Sequence, residues 1–470
     1  MDFYRELKKK AEDDRYRFHM PGHKGKKNTV PDIFREFIGY DFTEIDGTDN
    51  LNNPKGIIKN LQDRLGKIYG TKKSYILVNG STSGLQSVIL SQTKPKDKIL
   101  IQRDSHKAIY NSLILGDIDC EFIWTEYDTS LNLKKPVDLI DLEKTLDSND
   151  IKLVVVTYPT YYGICSNIEE IAKIVHSRGA LLIVDEAHGG HFKFSEDLPI
   201  GAEDLGADIV VQSLHKTLPA LTQTSAIHVC SNRVDILSLE SFIKMIQTSS
   251  PSYLLMLSVE GALDFMDKEG RSNLSKILEH IRKLKNSSNK EIFLKKSYIE
   301  NKYSCKYDET KLLISFYDKG IKGSQIKDEL KKQGVYTELW DLVYNVAYIT
   351  PADSIEDITC LFRNIENITV NKPLEGNSDI EIHKFKPVKK MTVRDAFYKN
   401  KIKKDVKNLE NEISGDFIIP YPPGIPIICP GELIEDGHVN YIKRLIDEGI
   451  EILGVENDLV TVLRTRRKDD

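Results

Sequence analysis

Apolar residues along this chain alternate between two patterns from about residue 56 onward, a stripe of helical period and short, near-continuous runs. Ile57, Ile58, Leu61, Leu65 and Ile68 form one such stripe and predict a helix over Ile57–Tyr69. Runs at 75–78, 98–102, 121–125, 153–157, 181–184 and 206–212 predict buried strands, with helical segments such as 168–177 between them. Strand and helix taking turns in this way specify an α/β fold: a mostly parallel central sheet with helices on both faces. The helical stripe of 275–285 stops at Asn286-Ser287-Ser288-Asn289. Beyond it, strands at 312–317, 335–340 and 343–350 and helices at 325–332 and 355–365 predict a smaller C-terminal α+β domain. The chain thus divides into an N-terminal arm (1–55), a large domain (56–285) and a small domain (286–470). Residues 367–390 read as a polar connection and the basic run 464–468 as a solvated tail, while the prolines of 418–426 specify a rigid, extended segment leading to Glu432.

Composition narrows the function classes. At 470 residues and a net charge of −5 the chain has room for a large core and no polybasic footprint, so nucleic acid is not an expected partner. No stretch approaches the roughly 20 apolar residues that span a bilayer, so no membrane partner is expected either. Six cysteines without a CxxC pairing disfavour a zinc site and a disulfide framework alike and suit a reducing cytoplasm. His19 and His23 lack a third ligand at helical or turn spacing, and no metal is expected.

Chemistry-bearing residues gather where predicted strands end. The first strand empties into Asn79-Gly80-Ser81-Thr82-Ser83-Gly84 just before a helix; Ser81, Thr82 and Ser83 there form a phosphate cup or an ordinary helix cap. Later strand ends carry His106, a flat ring able to stack on a planar ligand, the loop Tyr158-Pro159-Thr160-Tyr161, and Asp185 followed by Ala187 and His188. Metal binding is a competing use for Asp185 and His188. The last run delivers Ser213-Leu214-His215-Lys216, with Pro219 breaking any regular helix. A lysine beside polar groups either belongs to a plain loop or has a nucleophilic amine suited to Schiff-base formation. Pyridoxal 5'-phosphate (PLP) is the one small molecule that needs a phosphate cup, a stacking ring, a carboxylate to hold its pyridine nitrogen protonated and a lysine for its aldehyde.

The runs SLHKTLPALTQTS (213–225), RFHMPGHKG (17–25), DEAHGGH (185–191), TEIDGTDNL (43–51) and YPPGIPIICPGE (421–432) resemble the ornithine/lysine/arginine decarboxylase family of PLP enzymes, of fold type I. The resemblance covers nearly the whole chain and is to the short, biosynthetic members, since no receiver-like wing domain precedes the HMPGHKG run. It implies that Lys216 is the Schiff-base lysine and that Asp185 pairs with the pyridine nitrogen. His106 would stack on the ring and Ala187 pack beneath it. Ser81, Thr82, Ser83, Ser213 and His215 would hold the phosphate or neighbour it, Thr160 or Tyr161 would meet the phenolic oxygen, and His188 would lie against the cofactor. Glu432, with Asp46 and Asp49 behind it, would recognise a substrate's distal cation. The implied reaction is decarboxylation of a basic L-amino acid, L-arginine to agmatine first, L-lysine or L-ornithine next, in polyamine biosynthesis by a homodimer or higher homo-oligomer. An aminotransferase or aldolase would share fold and cofactor, and a PLP-binding regulator would bind the cofactor without releasing CO2.

Overall fold

The computed structural model describes residues 2–288, 292–369, 386–421 and 424–464. Seven strands build the main sheet: β1 (Lys73–Leu77), β2 (Lys98–Gln102), β3 (Asp119–Ile123), β4 (Ile151–Thr157), β5 (Leu181–Asp185), β6 (Ile209–Gln212) and β7 (Ser225–Val229). Their spatial order is β1-β7-β6-β5-β4-β2-β3. Only β7 runs against its neighbours; the pairs from β6 to β3 are all parallel. Side chains alternate between two buried faces. Val154, Val156, Leu182, Val184 and Val210 enter one core, and Leu153, Val155, Ile183, Ile209 and Val211 enter the other. That double burial is why the strands read as continuous apolar runs rather than alternating ones.

This topology brings the C-terminal ends of β1, β2, β4, β5 and β6 to one edge. Helices α2 (Ile57–Tyr69), α3 (Gly80–Ser91) and α4 (Lys107–Gly116) cover the faces. The first helix, α1 (Asp2–Asp13), docks on this unit with Phe3 and Leu7 buried. Glu260 caps its start by accepting the N–H groups of Phe3 (2.8 Å) and Tyr4 (2.9 Å). The chain after it leaves Tyr16, Phe18, Met20 and Ile33 exposed.

A three-stranded antiparallel sheet, β8 (Lys311–Ser315), β9 (Leu339–Trp340) and β10 (Tyr344–Tyr348), forms the centre of a second unit. The period of two again sorts the side chains. Leu312, Ile314 and Ala347 meet Ile326 and Phe362 on one face, whereas Leu313 and Val346 meet Ile428, Ile442 and Val462 of the C-terminal segment on the other. Helix Arg271–Ser287 joins the two units: its Leu274 and Leu278 belong to the first core and its Ile277 and Ile281 to the second. Pro422, Pro423, the connection 370–385 and the basic residues 465–468 lie outside the described residues.

Candidate active site

Lys216 sits in a single helical turn, α5 (Leu214–Thr217), directly after β6, where an irregular segment was expected; Leu218 closes the turn before Pro219. Its Nζ lies 3.1 Å from His188 Nε2. Burial pulls the Lys216 amine below the usual lysine range, against Asp185 and Glu338, which favour the charged form. A lowered amine pKa favours the nucleophilic, uncharged form.

Asp185 ends β5, and its Oδ1 accepts the N–H of Ala187 at 3.2 Å. Burial pushes its carboxyl up to about 6, with Lys216 and the Ala187 amide acting the other way. A carboxylate this buried with so little compensation fits a cationic partner, such as a protonated pyridine nitrogen. His106 caps α4: its Nδ1 accepts the N–H of Ala108 at 3.2 Å, which puts the ring proton on Nε2. Burial first, then Lys216 and Lys107, lower it to about 4, so it presents a neutral ring for stacking.

The phosphate cup is built from fewer side chains than expected. Helix α3 starts at Gly80 with no capping hydrogen bond from the Asn79 side chain; the Gly80 N–H is taken by the Gln223 carbonyl at 2.9 Å, which leaves the amides after it and the positive end of the helix for an anion. Ser213 donates to Ser81 Oγ at 2.8 Å, bringing two strand ends together beside that helix start. His215 Nδ1 lies 2.8 Å from the Thr224 carbonyl, which fixes the orientation of the ring. Thr82 is exposed, and the Ser83 hydroxyl donates to Gly80 O at 2.8 Å, which places it beside the cup. Together these groups fit PLP.

A cavity of about 410 Å³ opens over Lys216, lined among others by His106, Tyr161, His188, Glu338 and Tyr348. A larger one of about 620 Å³ lies beyond Tyr161 and touches neither Lys216 nor His106, so size alone would misplace the site. Thr160 faces that second cavity, its hydroxyl accepting the N–H of Ile164 at 3.1 Å; of the two loop residues, Tyr161 is the one in the Lys216 cavity.

Two expected substrate acids are placed elsewhere. Asp49 is saturated by backbone, accepting N–H groups of Asn50, Lys55, Gly56 and Ile58 at 2.8 to 3.0 Å. Burial raises it, but those amides hold its carboxyl below the usual range. Glu432 is 2 % exposed and binds Arg103 Nη2 at 3.0 Å and Cys429 N at 2.7 Å, so it anchors the C-terminal segment to the end of β2. Asp46 remains exposed on its loop. Glu338, missed in the sequence, is the one carboxylate among the described residues lining the Lys216 cavity.

A mostly parallel sheet of this order, with a lysine, a carboxylate, an imidazole and a phosphate cup at one edge, is that of a fold type I PLP-dependent enzyme. Residues 1–305 match the model for the Orn/Lys/Arg decarboxylase major domain, and 381–469 that for its C-terminal domain. The chain is similar to arginine decarboxylases of Bacillus anthracis (32% identical; 95% of this chain, 93% of the relative) and Bacillus subtilis strain 168 (32%; 98% and 96%). Its fold resembles that of the Francisella novicida lysine decarboxylase LdcF, with a TM-score of 0.82, 18% identity and coverage of 98% of this chain and 81% of that one. A serine palmitoyltransferase solved with PLP shares the fold more distantly, with a TM-score of 0.51, 15% identity and coverage of 66% and 75%. The chain belongs to the Orn/Lys/Arg decarboxylase family. It is a PLP-dependent decarboxylase of basic amino acids.

Proposed function

We propose that the substrate is L-arginine, converted to agmatine and CO2 for polyamine biosynthesis, with L-lysine as the alternative. The full-length likeness to the Bacillus enzymes supports arginine; the Pseudomonas aeruginosa lysine decarboxylase LdcA matches at 26% over 57% of this chain. The bound cofactor supplies an aldehyde for Lys216 and an electron sink for the charge left when CO2 departs. Lys216, whose charge burial disfavours, would make the covalent link. Asp185 keeps the pyridine nitrogen protonated, and Ser81, Ser213 and the first amides of α3 hold the phosphate. His106 and Ala187 would hold the ring of the cofactor, with Tyr161 and His188 as further contacts in the Lys216 cavity. Glu338 takes the distal cation, which is desolvated on entry and so gains from a prepositioned acid. The Cα–carboxylate bond breaks, CO2 leaves, and one proton returns to the same carbon, so each turnover consumes one proton.

The observation carrying this reading is the Lys216 cavity itself, with its amine, its neutral imidazoles and its one carboxylate at the wall. Mass spectrometry of the amines formed from equimolar arginine, lysine and ornithine tests it. Agmatine is expected to dominate, and Glu338→Gln to raise KM about 10- to 150-fold, the loss of a charged hydrogen bond worth roughly 1.5–3 kcal/mol. Cadaverine as the main product would overturn the assignment of arginine, and an unchanged KM that of Glu338.

The working unit is at least a homodimer in the cytoplasm. The exposed Tyr16, Phe18, Met20 and Ile33, with exposures of 67 to 93 %, support a face that a second copy covers.

A further inference from the structure

The run Asp185-Glu186-Ala187-His188-Gly189-Gly190-His191 ends in a histidine that the reaction above does not use. His191 is fully buried, its Nε2 lying 3.0 Å from Thr310 Oγ1 and 3.3 Å from Asp308 Oδ1. Both partners precede β8, so a loop of the large sheet is bonded here to the second unit. Asp308 accepts the Thr310 N–H at 3.0 Å and its hydroxyl at 2.6 Å, and turns its other oxygen to Lys311 Nζ at 3.4 Å. Lys311 is 1 % exposed, a placement that costs stability unless something holds the charge. Its ammonium stands 4.3 Å from the centroid of the Tyr348 ring. Tyr348 packs edge-on against His188, with ring centroids 5.5 Å apart, and donates its hydroxyl to Tyr161 O at 3.0 Å. His188 in turn touches Lys216. A buried cation is therefore connected, ring by ring, to the reactive amine.

We propose that Lys311 is a positioning residue: docking of the second unit plants a fixed cation behind Tyr348 and His188, where it opposes the charge of Glu338 from the same unit and disfavours a proton on the Lys216 amine. The inference rests on the reading of Lys216 as the lysine that takes the cofactor's aldehyde. From the large sheet, Asp185, His188, Tyr161 and His106 face that amine; from the second unit, Glu338 and Tyr348 face it, with Lys311 behind. Burial and Lys311 disfavour the charged amine, while Asp185 and Glu338 favour it. Burial first, then Lys216 and Lys311, keep His188 far below the usual histidine range, so it adds no charge of its own. Although burial raises Asp308, Lys311 and His191 hold its carboxyl well below the usual range, which leaves an ionised anchor for the lysine.

The test uses the cofactor-free protein and reads labelling of Lys216 by trinitrobenzenesulfonate across pH, by peptide mass spectrometry. Lys311→Met is expected to move the labelling midpoint up, the direction that loss of a nearby positive charge gives. Asp308→Asn, which unmasks the Lys311 charge, is expected to move it down, and Lys311→Arg to leave it near the wild-type value. Unchanged midpoints in folded Lys311→Met and Asp308→Asn proteins would overturn the proposal. Shifts in the same direction would do so too, since loosened docking alone predicts that result. Should Lys311→Met fail to fold, Lys311→Gln and Asp308→Asn read the same pair of opposite shifts. Failure of the underlying reading looks different: after borohydride reduction of the wild-type holoenzyme, the pyridoxyl group would lie on another lysine.

Discussion

At Asp185, burial sets both the chemistry and a cost in stability. Its folded carboxyl stands at about 6 against an ordinary 3.8, so between roughly pH 4 and 6 the folded state binds more protons than the unfolded one. Stability contributed by this group therefore falls as pH rises through that window, by on the order of 3 kcal/mol for a shift of about two units. In cofactor-free protein, Asp185→Asn is expected to raise Tm at pH 7.5 and leave it nearly unchanged at pH 4, while turnover of the holoenzyme drops at least 100-fold. A lower Tm at pH 7.5, or near-normal turnover, would contradict the role. Lys216, Asp185 and His106 were legible in the sequence because each follows a strand whose apolar run is unmistakable. Glu338 and Lys311 were not, because they reach the site from a second unit whose docking leaves no periodic signal. The contact of Ser83 follows from a local signal: a serine in the first turn of a helix donates its hydroxyl to the carbonyl three residues back.

Among elements, the docking of the C-terminal segment on the end of β2 is the one the sequence least revealed. Arg103 and Glu432 are 329 residues apart and meet only in the folded chain. The guanidinium also donates to the carbonyls of Pro426 (2.6 Å) and Ile427 (3.2 Å) and stacks near Phe122 and Trp124, so one residue ties the proline-bearing segment down. The family resemblance implied a substrate contact for Glu432; buried against Arg103, it is a clamp. Breaking such a pair leaves an uncompensated buried cation and costs roughly 3–5 kcal/mol. Glu432→Gln is expected to lower Tm by several degrees with KM for substrate little changed. A strongly raised KM at unchanged Tm would restore Glu432 to the substrate site. Six of the seven main-sheet strands and the α/β alternation, by contrast, were readable to within a few residues, because most of their runs are apolar and buried on both faces; β7 (Ser225–Val229), with Ser225 and His228 in it, was not read as a strand. Nor was α5 read as a helix, where a single turn too short to carry a period holds Lys216.

For the whole molecule, the same logic of buried and exposed apolar surface applies between copies. Tyr16, Phe18, Met20 and Ile33 are exposed beside a first helix that is itself docked and capped. Light scattering is expected to give at least twice the 53.6 kDa chain mass, and Phe18→Ser with Ile33→Ser to shift the protein toward monomer. An active wild-type monomer at micromolar concentration would contradict a shared assembly. The central claim, that docking of two units around the edge of one sheet makes Lys216 the residue that binds PLP, has a direct measurement. Holoenzyme is reduced with borohydride, digested and mapped by mass spectrometry. A pyridoxyl group on Lys216 alone is the expected result, and a label on any other lysine, or on none, would contradict the account.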